Sequence, residues 1–255
     1  MDNWRTDVWR QPMTFTPDQP EGRVVGEGNP LLRMCRAMNA RCDSVGIRYN
    51  SLKTSFSGYL PDWYDDAGWA ELCENHRQCA IFARDAGFAG ISLDIEYVSE
   101  RYALDFEEYL VPGYNRADMR ATAQRRGGEL MAAMLDEFPD MHLWQLPEGV
   151  QGYGPLAADL FAGMVGTMAA RNAPGGYHLS TEGIYYNPSP FDVLKHYATV
   201  KHSVDSTLDA LPDGQALAWW NRNGSYNLGM YPLGFYREIV DEKLNFLGYG
   251  GRYEI

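Results

Sequence analysis

The stretch Gly90-Ile91-Ser92-Leu93-Asp94-Ile95-Glu96-Tyr97 alternates between aliphatic and polar side chains. Successive side chains of a β-strand point to opposite faces, so this alternation predicts a strand with one apolar and one polar face. Ser92, Asp94 and Glu96 then share the polar face. The apolar face must be buried. We expect the segments on both sides of the strand to bury it, because they have the composition of helices.

Strand-like and helix-like segments alternate along the whole chain, which is typical of a parallel α/β fold. Barrels of this kind occupy about 250 residues as one domain, and the chain has 255. We therefore expect a single domain, residues 1–255, folded as a (β/α)8 TIM-type barrel. Since only seven strands are visible, the barrel is either incomplete or has one irregular strand.

The predicted elements follow one another in regular order. The strands are Val8–Phe15, Ser44–Asn50, Ala89–Tyr97, Met141–Leu146, Tyr177–Ile184, Gln215–Asn221 and Asn245–Tyr249. The helices are Asn29–Asn39, Asp66–Asp85, Ala117–Phe138, Leu156–Asn172, Pro190–Ala210 and Phe235–Glu242.

The composition narrows the class of partner. A formal net charge of -12 argues against nucleic acid and anionic membranes, because binding phosphate requires clustered Lys and Arg. No apolar run reaches the length of a membrane span, so we expect no membrane insertion. The chain is expected to be soluble, either cytoplasmic or exported with a signal peptide absent from this sequence. Its oligomeric state stays open.

Asp94 and Glu96 are the leading catalytic candidates, Glu96 as general acid and Asp94 as its electrostatic partner or as nucleophile. In a barrel the polar strand face turns inward, and residues late in the strand reach the carboxyl-terminal mouth, where barrel active sites lie. Two adjacent carboxylates repel each other, so one of them is expected to keep its proton near neutral pH. A protonated carboxyl group can donate to a glycosidic oxygen. The alternatives are a structural ion-pair network and a cation site.

The same residues carry a resemblance to a known family. Gly90-Ile91-Ser92-Leu93-Asp94-Ile95-Glu96 resembles the end of the D-G-x-D-x-D-x-E strand of family 18 chitinase-like glycoside hydrolases. The resemblance implies a barrel in which Glu96 is the general acid and Asp94 orients the substrate's N-acetyl group. Ala89 and Ser92 stand where the first and middle Asp of that pattern belong.

Other predicted strand ends supply further carboxylates. Glu182 lies near the end of the predicted strand Tyr177–Ile184, and we expect it to be the second catalytic group, as nucleophile or base. Its distance from Glu96 would decide between retention and inversion at the anomeric carbon. Glu148 and the nearby Gln145 are expected to bind substrate, as is Tyr97 beside the acid pair.

Polar and aromatic residues on the remaining predicted strands complete the expected substrate site. Arg48 and Asn50 share one strand face, and Arg48 would orient a carboxylate. Trp219 and Asn221 share a face in the same way, which suits stacking of a sugar ring and hydrogen bonding of its hydroxyls. His178 shares its face with Glu182.

No cofactor or metal is expected. The five His and four Cys lack the spacing of common zinc sites, and no nucleotide-binding or nucleophile-elbow motif is present. The sequence therefore predicts a glycoside hydrolase acting on a carbohydrate or glycoconjugate. One alternative is a non-catalytic carbohydrate-binding barrel, suggested by the strand count and by Ser92. The other is a metal-dependent hydrolase using Asp94, Glu96 and His178.

Overall fold

The structure is a computed structural model, and it describes residues 29–56, 60–95, 115–147, 154–181 and 189–228, with the backbone of 239–241 and 244–246. Its helices are α1 Pro30–Ser44, α2 Asp66–Ala86, α3 Arg116–Leu135, α4 Pro155–Ala170, α5 Pro190–Asp209 and α6 Gln215–Asn223. Its strands are β1 Ser51–Ser55, β2 Gly90–Asp94, β3 His142–Leu146, β4 Tyr177–Thr181, β5 Gly224–Leu228, β6 Ile239–Asp241 and β7 Leu244–Phe246.

Strands β1 to β5 form one parallel sheet in sequential order, while β6 and β7 form a separate antiparallel pair. Each new strand adds on the same side of the previous one. With right-handed connections, this order keeps the helices on one face of the sheet. The predicted α/β fold is confirmed. Closure into eight strands stays a prediction, since the parallel sheet of the described residues has five.

The two faces of the sheet differ because side chains alternate along each strand. One face is buried beneath the helices: Tyr177 of β4 meets the ring of Phe161 in α4 edge-on at 5.3 Å, and Trp220 of α6 at 6.0 Å. The aliphatic side chains on this face are Leu52, Ile91, Leu93, Leu143 and Leu179. Most polar strand residues therefore occupy the other face.

Helices α3 and α4 pack with their backbones almost in contact. A Cβ atom added to Gly163 would fall deep inside the carbonyl oxygen of Gln124, and one added to Gly127 would meet the carbonyl of Leu160 in the same way. Only glycine permits so close a crossing. Through this contact α3 and α4, which follow β2 and β3 in the chain, hold a fixed spacing.

The helix predictions between residues 29 and 210 are confirmed, with ends that shift by a few residues. Helix α2 starts where Asp65 accepts a hydrogen bond from the backbone of Gly68, and it stops at Gly87, whose φ of 76° is left-handed. An acid at the start and a glycine after the end are the expected terminal signals.

Three predicted elements are wrong. Ser44–Asn50 is a helix end and an irregular segment, because α1 runs on to Ser44 and the strand begins only at Ser51. Gln215–Asn221 is helical, since Ala216, Trp219 and Trp220 form a buried stripe at helical spacing. Residues 239–241, placed in a helix, form a strand that pairs with residues 244–246. The predicted strand Val8–Phe15 lies outside the described residues.

The glycine contact can be tested by substitution. Gly163→Ala should lower the free energy of unfolding by about 2 to 3 kcal/mol, because two helix backbones must separate to admit the methyl group. Urea unfolding measures the change. Gly166→Ala, in the same helix, is the matched control: its methyl group would lie an ordinary 3.8 Å from Leu211. It should be neutral or stabilising, since alanine favours helix over glycine. Equal losses in both variants would contradict the close crossing.

Candidate functional site

The candidate site is the polar face of the sheet, the face opposite the helices. Its middle row crosses all five strands through Lys53, Ser92, Trp144, His178 and Ser225, which are neighbours by strand register. In a parallel sheet the carboxyl ends of all strands lie along one edge. The row nearest that edge contains Asp94 and Asn227, and the row nearest the amino edge contains His142.

Asp94 and Lys53 form an ion pair at the carboxyl edge. The Lys53 Nζ lies 2.8 Å from Oδ2 of Asp94, whose side chain is only 9% exposed. A carboxylate withdrawn from water requires compensation, and the neighbouring ammonium provides it. The pair thus keeps a fixed negative group, partly neutralised, at the position where barrel enzymes place catalytic residues.

A hydrogen-bonded chain crosses β3, β4 and β5. Nδ1 of His142 lies 2.8 Å from Nε2 of His178, and Nδ1 of His178 lies 2.6 Å from Oγ of Ser225. Ser225 in turn donates to the side-chain oxygen of Asn227 at 3.4 Å. The chain is complete when His142 and His178 each carry hydrogen on Nδ1 and donate toward Ser225.

The two imidazoles meet end to end. Their planes differ by 12° and their centroids are 5.1 Å apart, which equals the nitrogen–nitrogen distance plus one ring radius at each end. A zinc ion between collinear rings would need nitrogens about 4 Å apart, since each Zn–N bond is about 2.0 to 2.1 Å. The observed geometry fits a shared proton. Among the described residues, no group of three or more His, Cys, Asp or Glu could hold a metal.

Both imidazoles are held in the neutral form. Burial, together with a smaller effect of the neighbouring His142, lowers the pKa of His178 to about 4. Burial also lowers the pKa of His142, against a smaller opposite effect of the nearby Asp140. In the hydrogen bond between the two rings, one nitrogen must accept with its lone pair. Protonating both rings would remove that acceptor and break the bond.

Trp144 lies between these two polar groups. Its ring is 5.1 Å from His178 and 5.7 Å from His142, with the planes inclined by about 30° in each case. His178 therefore flanks the indole from β4, and His142 lies beside it from two residues earlier on β3. On its β2 side the register partner is Ser92, a small residue whose hydroxyl lies 2.5 Å from that of Ser51.

The structure places two of the predicted site residues on the same face of the sheet. Asp94 and His178 both project from the polar face, as their strand patterns predict. The positions of four others lie outside the described residues: Glu96, Tyr97, Glu148 and Glu182.

Arg48 and Asn50 do not join Asp94. Both precede β1, so they lie at the amino edge of the sheet instead of the carboxyl edge. Arg48 is exposed and pairs with Asp43 at 3.6 Å. Asn50 donates to the side chain of Asn39 at 3.0 Å, which is a structural contact with α1. Lys53 takes the place beside the carboxylate that was expected for Arg48.

Gln145, Trp219 and Asn221 are also separated from Asp94. Gln145 points to the helix face and hydrogen-bonds to the hydroxyl of Tyr177 in the core. Trp219 belongs to α6, is 1% exposed, and donates to the carbonyl of Ala173 at 3.0 Å. Asn221 lies on the exposed side of the same helix. The predicted stacking surface at Trp219 is therefore wrong.

Lys53, Trp144 and Ser225 were missed, although the sequence contains a signal for each. Leu52 and the β-branched Thr54 alternate with Ser51, Lys53 and Ser55. This alternation predicts a strand with Lys53 on its polar face. Trp144 shares the parity of His142 within a strand that was correctly predicted. Tyr226 lies between two polar residues, Ser225 and Asn227, in the same alternating way.

The fold and this polar face define an α/β protein with a lysine–carboxylate pair at the carboxyl edge of a sequentially ordered parallel sheet. Comparisons with protein-family models, curated proteins and solved structures find no match to the chain. No helix within the described residues is long and apolar enough to cross a membrane.

Removing the cation beside Asp94 should destabilise the fold. We expect Lys53→Met to lower the free energy of unfolding by about 1 to 3 kcal/mol, because a withdrawn carboxylate loses its compensating charge. Lys53→Arg should restore most of the loss. The control is Lys201→Met, which removes an exposed i,i+4 pair with Asp205 on α5 and should cost under about 0.5 kcal/mol. Equal losses in the two Met variants, measured by urea unfolding, would contradict a special role for Lys53.

The neutral imidazole pair predicts acid sensitivity. The folded protein binds a proton at His178 less tightly than the unfolded chain does. Its contribution to stability is therefore full above pH 6.5 and is lost as the pH falls toward 4. In His178→Asn the plot of unfolding free energy against pH should be flatter in this range. The matched control is His202→Asn, which removes an exposed histidine of α5 outside the imidazole pair. An unchanged slope in the His178 variant would contradict the prediction.

Proposed function

We propose that the protein is a glycoside hydrolase built on a β/α barrel, with Glu96 as the general acid. One observation carries the proposal. Three adjacent parallel strands, β2, β3 and β4, end at the same edge of the sheet, and in each case the chain reaches a glutamate within two residues of the strand end. These glutamates are Glu96, Glu148 and Glu182.

The sequential strand order supports the barrel. In an open doubly wound sheet the order reverses at a switch point, and helices cover both faces. Here the order runs from β1 to β5 without reversal, as in the wall of a barrel. The polar face then lines the interior, and Asp94 lies at its carboxyl-terminal mouth.

The roles follow from the chemistry of glycosidic bonds. Glu96 donates its proton to the departing oxygen while positive charge develops on the sugar ring. Asp94, fixed by Lys53, supplies negative charge close to that ring. Glu182 attacks the anomeric carbon or activates water. The Lys53–Asp94 pair is the part of this machinery that lies among the described residues.

The metal-dependent alternative has less support. It needs a free nitrogen on His178, yet both ring nitrogens take part in hydrogen bonds, with His142 and Ser225. The binding-only alternative shares the same polar face, so activity measurements must separate it from the hydrolase.

Glu96→Gln should lower kcat/KM on natural glycosides by about 10²- to 10⁴-fold, the usual contribution of a general acid. The loss should be far smaller on dinitrophenyl glycosides, because that leaving group departs without a proton. Product release by the wild-type protein and the variant is measured on glycosides of several sugars.

Glu71→Gln is the control, since Glu71 is an exposed acid on α2, and it should leave activity unchanged. Full activity in Glu96→Gln would overturn the assignment of the acid. Saturable glycan binding by the wild-type protein without any product would favour the binding-only alternative and overturn the hydrolase. Loss of activity on adding a chelator would favour the metal-dependent reading.

A further inference from the structure

Helix α1 has an apolar stripe that the described part of the chain leaves exposed. The stripe consists of Met34, Met38 and Val45, which recur on one side of the helix and are 63%, 46% and 58% exposed. We call these three residues the α1 stripe. A helix that packs on a sheet normally buries such a stripe, and exposed apolar area of this kind marks a contact surface.

The α1 stripe lies on the side of the helix where a sheet would be. Asn39 donates to the carbonyl of Ala86 at 2.9 Å, so its side of α1 faces α2. Consecutive helical residues are about 100° apart, which places Met38 roughly a quarter turn from that side. The opposite quarter turn carries the exposed Arg33 and Arg36. In a layer of helices the neighbouring helix lies to one side and the sheet a quarter turn away, so the apolar quarter is the one that should face the sheet.

Strand β1 has an edge without a strand partner among the described residues, where it pairs with β2 alone. From β1 to β5, each strand lies on the same side of the one before it. A strand that precedes α1 would therefore lie on the side of β1 opposite β2, because right-handed strand–helix–strand connections keep that direction. Helix α1 would then cover the junction between this strand and β1.

The segment Val8–Phe15 matches this position. It is the strand predicted before α1, and residues 16–28 supply a connection long enough to reach from the sheet to the start of the helix. Its large apolar side chains share one strand face by parity: Trp9, Met13 and Phe15. Arg10 and Thr14 share the other face. Strands β2 to β4 are divided in the same way, with an apolar face toward the helices and a polar face away from them.

We propose that Val8–Phe15 lies as a parallel strand along the edge of β1 opposite β2 and packs its apolar face against the α1 stripe. Aromatic and methionine side chains suit this contact, because they bury a large apolar area and adapt to an irregular surface. Pro12 has no N–H to donate, which an outer strand tolerates where its backbone points away from the neighbouring strand. The polar face of the sheet then extends past Lys53 to Arg10. The contact does not depend on the proposed hydrolase activity.

Oxidation of methionine by hydrogen peroxide tests the contact in the full-length chain, with peptide mass spectrometry to follow each site. In the wild-type monomer, Met34 and Met38 should oxidise about tenfold or more slowly than in the urea-unfolded chain, because a covered thioether is out of reach of the oxidant. Met13→Asp places a charge in the contact and should bring both rates close to those of the unfolded chain. Thr14→Asp, on the other strand face, is the matched control and should leave both methionines protected.

Thermal unfolding shows whether each variant is folded. If Met13→Asp does not fold, a photoreactive benzophenone side chain at position 13 decides, since illumination should link it to the peptide that contains Met34 and Met38 within one monomer. Rapid oxidation of both methionines in the wild-type protein would overturn the proposal, as would unchanged protection in a folded Met13→Asp variant or the absence of the cross-link. Protection that appears only when sedimentation shows a dimer would also overturn it, because a second copy would then cover the α1 stripe.

Discussion

Burial of Ile91 and Leu93 beneath the helices is the constraint on which the rest of the structure depends. Both side chains are 0% exposed, and each such burial contributes about 1.5 to 3 kcal/mol. Because side chains alternate, this burial forces Ser92 and Asp94 to the opposite face. A shift of one residue would place a carboxylate among aliphatic side chains, at a cost far larger than any local gain. Packing of the apolar face thus decides where the polar chemistry lies.

The same constraint explains what the sequence could and could not predict. Strands β2, β3 and β4 were predicted because aliphatic residues mark their buried faces. β1 and β5 were missed because each contains few aliphatic residues, and their polar positions resemble a loop. The segment around Trp219 was misread as a strand because two adjacent Trp suggest opposite faces, whereas Ala216, Trp219 and Trp220 share one side of a helix. Asp94 and His178 could be predicted from parity, but the partnership of Asp94 with Lys53 depends on which strands are neighbours.

The polar face limits the cost of buried charge in two different ways, in neighbouring regions. At the carboxyl edge, opposite charges on Lys53 and Asp94 compensate each other. Farther from that edge, His178 in the middle row and His142 in the row nearest the amino edge stay neutral, since burial lowers the pKa of each ring. Trp144 separates the ionic part from the neutral part. A ligand on this face would meet a charged rim on one side and an uncharged, hydrogen-bonded support on the other.

The crossing of α3 and α4 at Gly127 and Gly163 limits the sequence variation that these two positions can accept. Every single-base change in a glycine codon that alters the amino acid introduces a side chain or ends translation. At these two positions each new side chain would begin with an atom inside a neighbouring carbonyl group. No single-base change in either codon gives a conservative substitution. These two helical sites should therefore tolerate less natural variation than the polar residues of the sheet.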